Sequence, residues 1–160
     1  MSDHFERLGL PRRFSVDSTA LEAAYLDRSR AVHPDFHHTG SGGEQAASEA
    51  LTAAVNEAYT TLKDPFRRAE HLLSIMNGPS ATDVKDIRPA FLMEMMDLRE
   101  EVERADAAGK AKHEADAKKR LEKIFDGLVP LFEKGELVSV RKQLNAAKYL
   151  KGLLRDLRDA

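Results

Sequence analysis

No cysteine occurs in the 160 residues, which excludes a disulfide framework, a thiol nucleophile and a thiolate metal site. No apolar run approaches the roughly 18 residues that a bilayer span requires. The start, Met1-Ser2-Asp3-His4-Phe5, has neither a basic n-region nor an apolar h-region, so a secretory signal is not expected. It also lacks an Arg-rich amphipathic leader, which argues against a mitochondrial origin. An excess of one charge is missing too: 27 acidic side chains meet 25 basic ones, leaving −2. Such balance offers no bulk attraction to phosphates, so nucleic-acid binding is disfavoured. What is present is 42% hydrophobic and 32% charged residues, enough for the core of one domain or two small ones. The expectation is a soluble, cytoplasmic protein rich in charged helix formers.

Strand patterns are nearly absent, and apolar residues recur at helical spacing between Gly and Pro breakers. A first turn covers about Asp3 to Leu8 and ends at Gly9-Leu10-Pro11. A second helix starts near Asp17 or Ser18, carries Leu21, Tyr25 and Val32 along one stripe, and stops at His33 because Pro34 follows. Residues 35–43 read as a loop of glycines and turn formers. A third helix from about Glu44 to Lys63 has the stripe Ala47, Leu51, Val55, Ala58 or Tyr59, and Leu62. Asp64 as N-cap and Pro65 at the first helical position restart the chain into a fourth helix reaching about Met76. Residues 77–82 are the best linker candidate. Three longer helices follow, about Arg88 to Ala107, Lys110 to Glu133 and Glu136 to Leu157, with Gly109 and Gly135 between them. Gly127 and Pro130 should end or kink the middle one early.

His33-Pro34-Asp35 sits where an amphipathic helix gives way to a glycine-rich loop. Pro34 fixes its own φ and extends His33, holding one weakly basic ring and one carboxylate out from the helix end. Three residues alone are a weak signal. Their setting is stronger: a helix with Arg28 and Arg30 precedes them, and a long helix ending Val55-Asn56-Glu57-Ala58-Tyr59-Thr60-Thr61-Leu62-Lys63-Asp64-Pro65 follows. This arrangement resembles the J-domain, by which co-chaperones stimulate ATP hydrolysis in DnaK-type chaperones. The string Asp64-Pro65-Phe66-Arg67-Arg68-Ala69-Glu70-His71-Leu72-Leu73 resembles the HscB family, the J-proteins of iron–sulfur cluster assembly. So does Phe91-Leu92-Met93-Glu94-Met95-Met96-Asp97-Leu98-Arg99-Glu100. The resemblance covers nearly the whole chain and implies that His33, Pro34 and Asp35 trigger the partner chaperone. Phe36 follows the aspartate where many J-domains have a basic residue, and residues 18–32 hold two arginines against Glu22 and Asp27. Electrostatic docking therefore rests on Arg28 and Arg30.

His33, His37 and His38 raise the question of a metal. Pro34 prevents His33 and His37 from sharing a helix face, and Asp35 is the one nearby carboxylate, so a polar loop is the preferred reading. A catalytic His–Asp pair is rejected as well. No nucleophile in a strained elbow and no phosphate-cradling loop accompanies it, and no enzyme activity, metal or cofactor is expected.

Residues 91–105 have two apolar sides. On a helical wheel Met95, Leu98, Val102 and Ala105 fall within about 40° of Phe91, a core stripe. Leu92, Met96, Glu100 and Met93 fall at about 100°, 140°, 180° and 200°. Either neighbouring helices bury both sides, or the second side is a partner surface; exposed methionines suit adaptable contacts, which favours the partner. On the last helix Val140, Leu144, Ala147, the Lys151 stem and Leu154 form the expected core stripe, and Tyr149 points away from it. Tyr149 reads plainly as packing against the first domain or the linker. The family resemblance implies instead that the scaffold protein IscU is held by this bundle. On that basis Leu92, Met93, Met96, Asp97, Glu100 and Tyr149 are scaffold contacts, with Glu103 and Arg104 as further ones.

The resulting expectation is an all-α chain: a J-domain over 1–76 (a helical hairpin with short flanking helices), a linker over 77–87 and a three-helix bundle over 88–160. It would be a monomer that stimulates an HscA-like DnaK-type ATPase and delivers IscU to it, with no nucleic-acid or membrane partner. A general J-protein delivering other clients, or a passive helical adaptor, are the alternatives. The charge balance hides segregation: residues 94–106 hold six acids and two bases, and residues 141–158 six bases and one acid.

Overall fold

The computed structural model describes residues 3–32, 42–84 and 88–159. Seven α-helices and no strand occur among them. The chain divides into two compact units, Met1–Ile75 and Met76–Ala160.

The first unit holds α1 (His4–Leu8), α2 (Ser18–Val32), α3 (Gly42–Lys63) and α4 (Pro65–Ile75). Local capping chemistry sets the starts of α1, α2 and α4. The Asp3 side chain accepts from the Glu6 amide at 2.9 Å, Asp17 from Thr19 at 3.0 Å and Asp64 from Phe66 at 2.9 Å. Gly9, at φ 69°, closes α1 in the left-handed conformation that side chains resist. The core consists of Phe5, Leu8, Phe14, Leu21, Val55, Ala58, Leu62, Ala69, Leu72 and Leu73. Each larger member contributes about 1.5–3 kcal/mol by leaving water. Tyr25 is half-buried: its ring stacks on Tyr59 at 4.2 Å and its hydroxyl donates to Asn56 Oδ1 at 2.7 Å.

The first half of α3 departs from the expected stripe. Ala47 and Leu51 are exposed, while Ser48 is buried. The reason lies in α2, whose last carbonyls have no partner within their own helix. The hydroxyls of Ser48 and Thr52 both donate to the Val32 carbonyl, Thr52 at 3.0 Å. Hydrogen-bond demand at a helix end thus overrides hydrophobic spacing.

His71 on α4 accepts the His4 amide proton at Nε2, 3.1 Å away, and lies against the Phe5 ring. Partial burial, then the neighbouring His4, push its pKa below the ordinary histidine value, with Asp3 opposing. The unfolded chain therefore binds a proton more readily than the folded one, so acid favours unfolding. This contribution to stability is complete above about pH 6.5 and is lost as pH falls below it. We expect His71→Gln, whose amide oxygen still accepts from His4 but does not titrate, to flatten the fall in the first unit's thermal midpoint as pH drops below about 6.5. An unchanged slope would assign that acid sensitivity elsewhere.

The second unit contains α5 (Pro89–Arg104), α6 (Ala107–Glu133) and α7 (Leu137–Asp159), with connections of two and three residues that make sequence neighbours antiparallel. Met95, Val102, Ala117, Leu150 and Leu153 form one buried cluster, with Phe91, Leu98, Leu121, Ile124, Leu154 and Leu157 packed against it. Met95 and Val102 are buried and Phe91 and Leu98 partly so, as the wheel predicted.

Two expectations need correction here. Helix α6 begins at Ala107, before Lys110, because Asp106 caps it through a 2.8 Å bond from the Gly109 amide. A Cβ on Gly109 would lie 3.0 Å from the Ala105 Cβ, so the glycine serves the cap and does not break the chain. The helix also runs through Gly127 and Pro130 to Glu133. Pro130 removes one backbone donor in the final turns, and the burial of Leu128 and Phe132 on either side of it offsets that loss.

On α7, Val140, Leu144 and Ala147 are fully buried as expected, but Leu150, Leu153, Arg141 and Asn145 are buried too. The polar pair has a task. Arg141 Nε donates to the Pro79 carbonyl at 2.9 Å, and Asn145 Nδ2 donates to the Val84 carbonyl at 2.8 Å. Between those anchors Ser80 and Asp83 close a turn, the Ser80 amide donating to Asp83 Oδ2 at 3.0 Å. That bond holds the exposed Asp83 carboxyl below its usual pKa.

Candidate functional site

The second apolar side of α5 is open to solvent. Met93 is 66% exposed and Met96 65%, while Met95 between them is 4% exposed. Leu92 is half-buried beside them; Asp97, Glu100, Glu103 and Arg104 are exposed. Positions 93 and 97, and 96 and 100, are four apart and so neighbours on the helix surface. The result is a thioether patch flanked by carboxylates. Two ion pairs hold its helix in place: Arg99 to Asp156 on α7 at 2.5 Å and Arg120 on α6 to Glu94 at 2.7 Å.

Tyr149 is 39% exposed and meets the Phe91 ring edge-on, at 6.2 Å and 82°. That ring partner is on α5 of its own bundle. A half-exposed aromatic from α7 is thereby brought to the start of the helix that carries the methionines. Phe91 as the platform for Tyr149 was not foreseen. A wheel treats one helix at a time and has no signal for a ring met across two.

On the first unit, Arg28 and Arg30 are exposed on α2, and neither joins an ion pair among the described residues. His33, Pro34 and Asp35, with Phe36, His37 and His38, lie outside the described residues. Among the described residues no group of three His, Asp or Glu side chains is placed to hold a metal ion. No described helix is long and apolar enough to cross a membrane. The chemistry available at the α5 face is association: adaptable sulfur-bearing side chains, one amphipathic ring and a charged rim.

Comparison with known proteins points the same way. Residues 87–158 match the family described as the HSCB C-terminal oligomerisation domain. The chaperone HscB from Vibrio cholerae has a similar structure, with a TM-score of 0.84 and 29% identity over 99% of this chain and 96% of that one. The human co-chaperone protein HscB gives a TM-score of 0.90 and 28% identity over 99% of this chain and 81% of that one. The Jac1 co-chaperone from Saccharomyces cerevisiae, at 22% identity and a TM-score of 0.79, shares the fold over 100% of this chain and 94% of that one. The fold is all-α, a J-domain followed by a C-terminal helical bundle. The chain is thus similar throughout to the HscB co-chaperones, and its residues 87–158 match that family's C-terminal domain.

Proposed function

We propose that this chain delivers the iron–sulfur scaffold protein IscU to an HscA-like DnaK-type chaperone in the cytoplasm and stimulates that chaperone's ATPase, promoting cluster maturation and transfer. The chain itself catalyses nothing. Its His33-Pro34-Asp35 tripeptide, supported by Arg28 and Arg30, engages the chaperone. Leu92, Met93, Met96, Asp97, Glu100 and Tyr149 engage the scaffold, with Glu103 and Arg104 at the margin. The observation that carries this reading is the pair of exposed methionines on α5, in the domain matched to the family. Large apolar side chains left in water on a well-packed bundle mark a protein contact. Its acidic flank favours a partner with a basic or polar rim. In this reading the face takes a scaffold molecule rather than a second copy of the chain, which works as a monomer. Holding both partners raises the effective concentration of one at the other.

Chaperone ATP turnover, measured with this chain, with IscU and with both, tests the proposal. The expected result is modest stimulation by either alone and about tenfold or more beyond that with both. Full stimulation without the scaffold would identify a general J-protein, and none under any condition a passive adaptor.

A further inference from the structure

A cleft of about 700 Å³ opens on the C-terminal bundle, within the range of ligand sites. Its apolar wall includes Phe91 and Ile124, and its cations are Arg88, Arg120, Lys123 and Lys142. Among the described residues no carboxylate lines it; Glu122 and Asp126, sequence neighbours of Lys123 and Gly127, are not among its lining residues. Arg120 is engaged by Glu94, but Arg88, Lys123 and Lys142 have no ion pair among the described residues. In a chain with more acids than bases, a concavity whose charged lining among the described residues is all cationic is a departure that packing does not demand.

Gly127 supplies a second, independent observation. It lies inside α6 and lines the cleft, and a Cβ built on it meets nothing within 4 Å. A glycine in a helix interior is a poor helix former. Here neither its backbone conformation nor close packing requires one, and its effect is to leave the cleft open.

We propose that this cleft is a second docking site, for an acidic peptide segment carrying an aliphatic anchor. The cations come from three places, the residue before α5, helix α6 and helix α7. Together they carry more charge than one phosphate or carboxylate neutralises. Several carboxylates spaced along one chain match them, and an aliphatic side chain among those carboxylates fills the wall formed by Phe91 and Ile124. The site is opposite in charge to the methionine face and goes beyond the scaffold reading.

Fluorescence anisotropy of the full chain with a labelled glutamate-rich peptide bearing one leucine tests this without chaperone or scaffold, so its outcome is separate from theirs. Saturable binding that weakens with salt is expected. Lys123→Glu with Lys142→Glu should reduce affinity at least about tenfold. Gly127→Leu should do the same by filling the cleft, without lowering the thermal midpoint, since leucine is the better helix former. Arg155→Glu with Arg158→Glu makes the same charge change at the far end of α7 and should leave affinity within about twofold. Equal losses in both charge-reversed pairs, or full affinity in Gly127→Leu, would overturn the proposal. So would tighter binding of an RNA oligonucleotide, or complete displacement by inorganic phosphate at matched charge.

Discussion

Replacing Asp35 with alanine is expected to return chaperone ATPase stimulation to background while scaffold affinity stays at the wild-type value. The change removes the only carboxylate of the tripeptide and leaves Pro34, whose ring fixes the local backbone, in place. The helix entering the tripeptide is also unaffected, because its last carbonyl, that of Val32, is held by Ser48 and Thr52 on α3. A loss of stimulation would therefore report the missing charge and not a collapsed helix. The proposed scaffold contacts all belong to the other compact unit, Met76–Ala160. Steady-state ATP turnover and scaffold titration on the same protein check both halves. Wild-type stimulation by Asp35→Ala would remove the tripeptide from the mechanism.

The second large effect is expected from Met93→Ala combined with Met96→Ala. Both side chains are about two-thirds exposed, so their removal forfeits little core burial, and alanine is the better helix former. Stability should change by no more than about 0.5 kcal/mol. Binding is different. Two buried anchors at about 1 kcal/mol each lower scaffold affinity roughly thirtyfold. Met95→Ala is the contrasting control: at 4% exposure it lies in the core, and its loss should cost about 2–5 kcal/mol of stability. Calorimetric titration with the scaffold, alongside thermal unfolding, separates the two effects. Unchanged affinity in the double variant would show that the methionine face is not the contact.

Helix existence and the two-sided nature of α5 were legible because both depend on spacing alone. The alternation of buried Met95 with exposed Met93 and Met96 follows directly from 100° per residue. The Asp64-Pro65 restart was legible as well, since capping is local chemistry. What escaped depended on partners distant in sequence. Ser48 is buried because it serves Val32, 16 residues away, and Arg141 and Asn145 are buried because they serve Pro79 and Val84, 62 and 61 residues away. Pro130 misled for a related reason: the rule that proline ends helices omits the packing of Leu128 and Phe132, which carries the helix past it. The edge contact of Tyr149 with Phe91 likewise joins two helices 58 positions apart in number, as ring geometry shows. The tripeptide was legible as a motif, by its setting between two helices.

The exposure of Met93 and Met96 has a redox consequence. A chain without cysteine keeps all its sulfur as thioether, in five methionines. Oxidation converts such a side chain into a polar sulfoxide, and exposed thioethers react first. Met95 is shielded, so oxidant would strike the proposed scaffold contact and spare the core. A sulfoxide at 93 or 96 would act much like the alanine substitutions, with one difference: it is reversible by reductases. In the proposed role, the face that adapts to the scaffold would also make that association responsive to the oxidants that threaten iron–sulfur clusters.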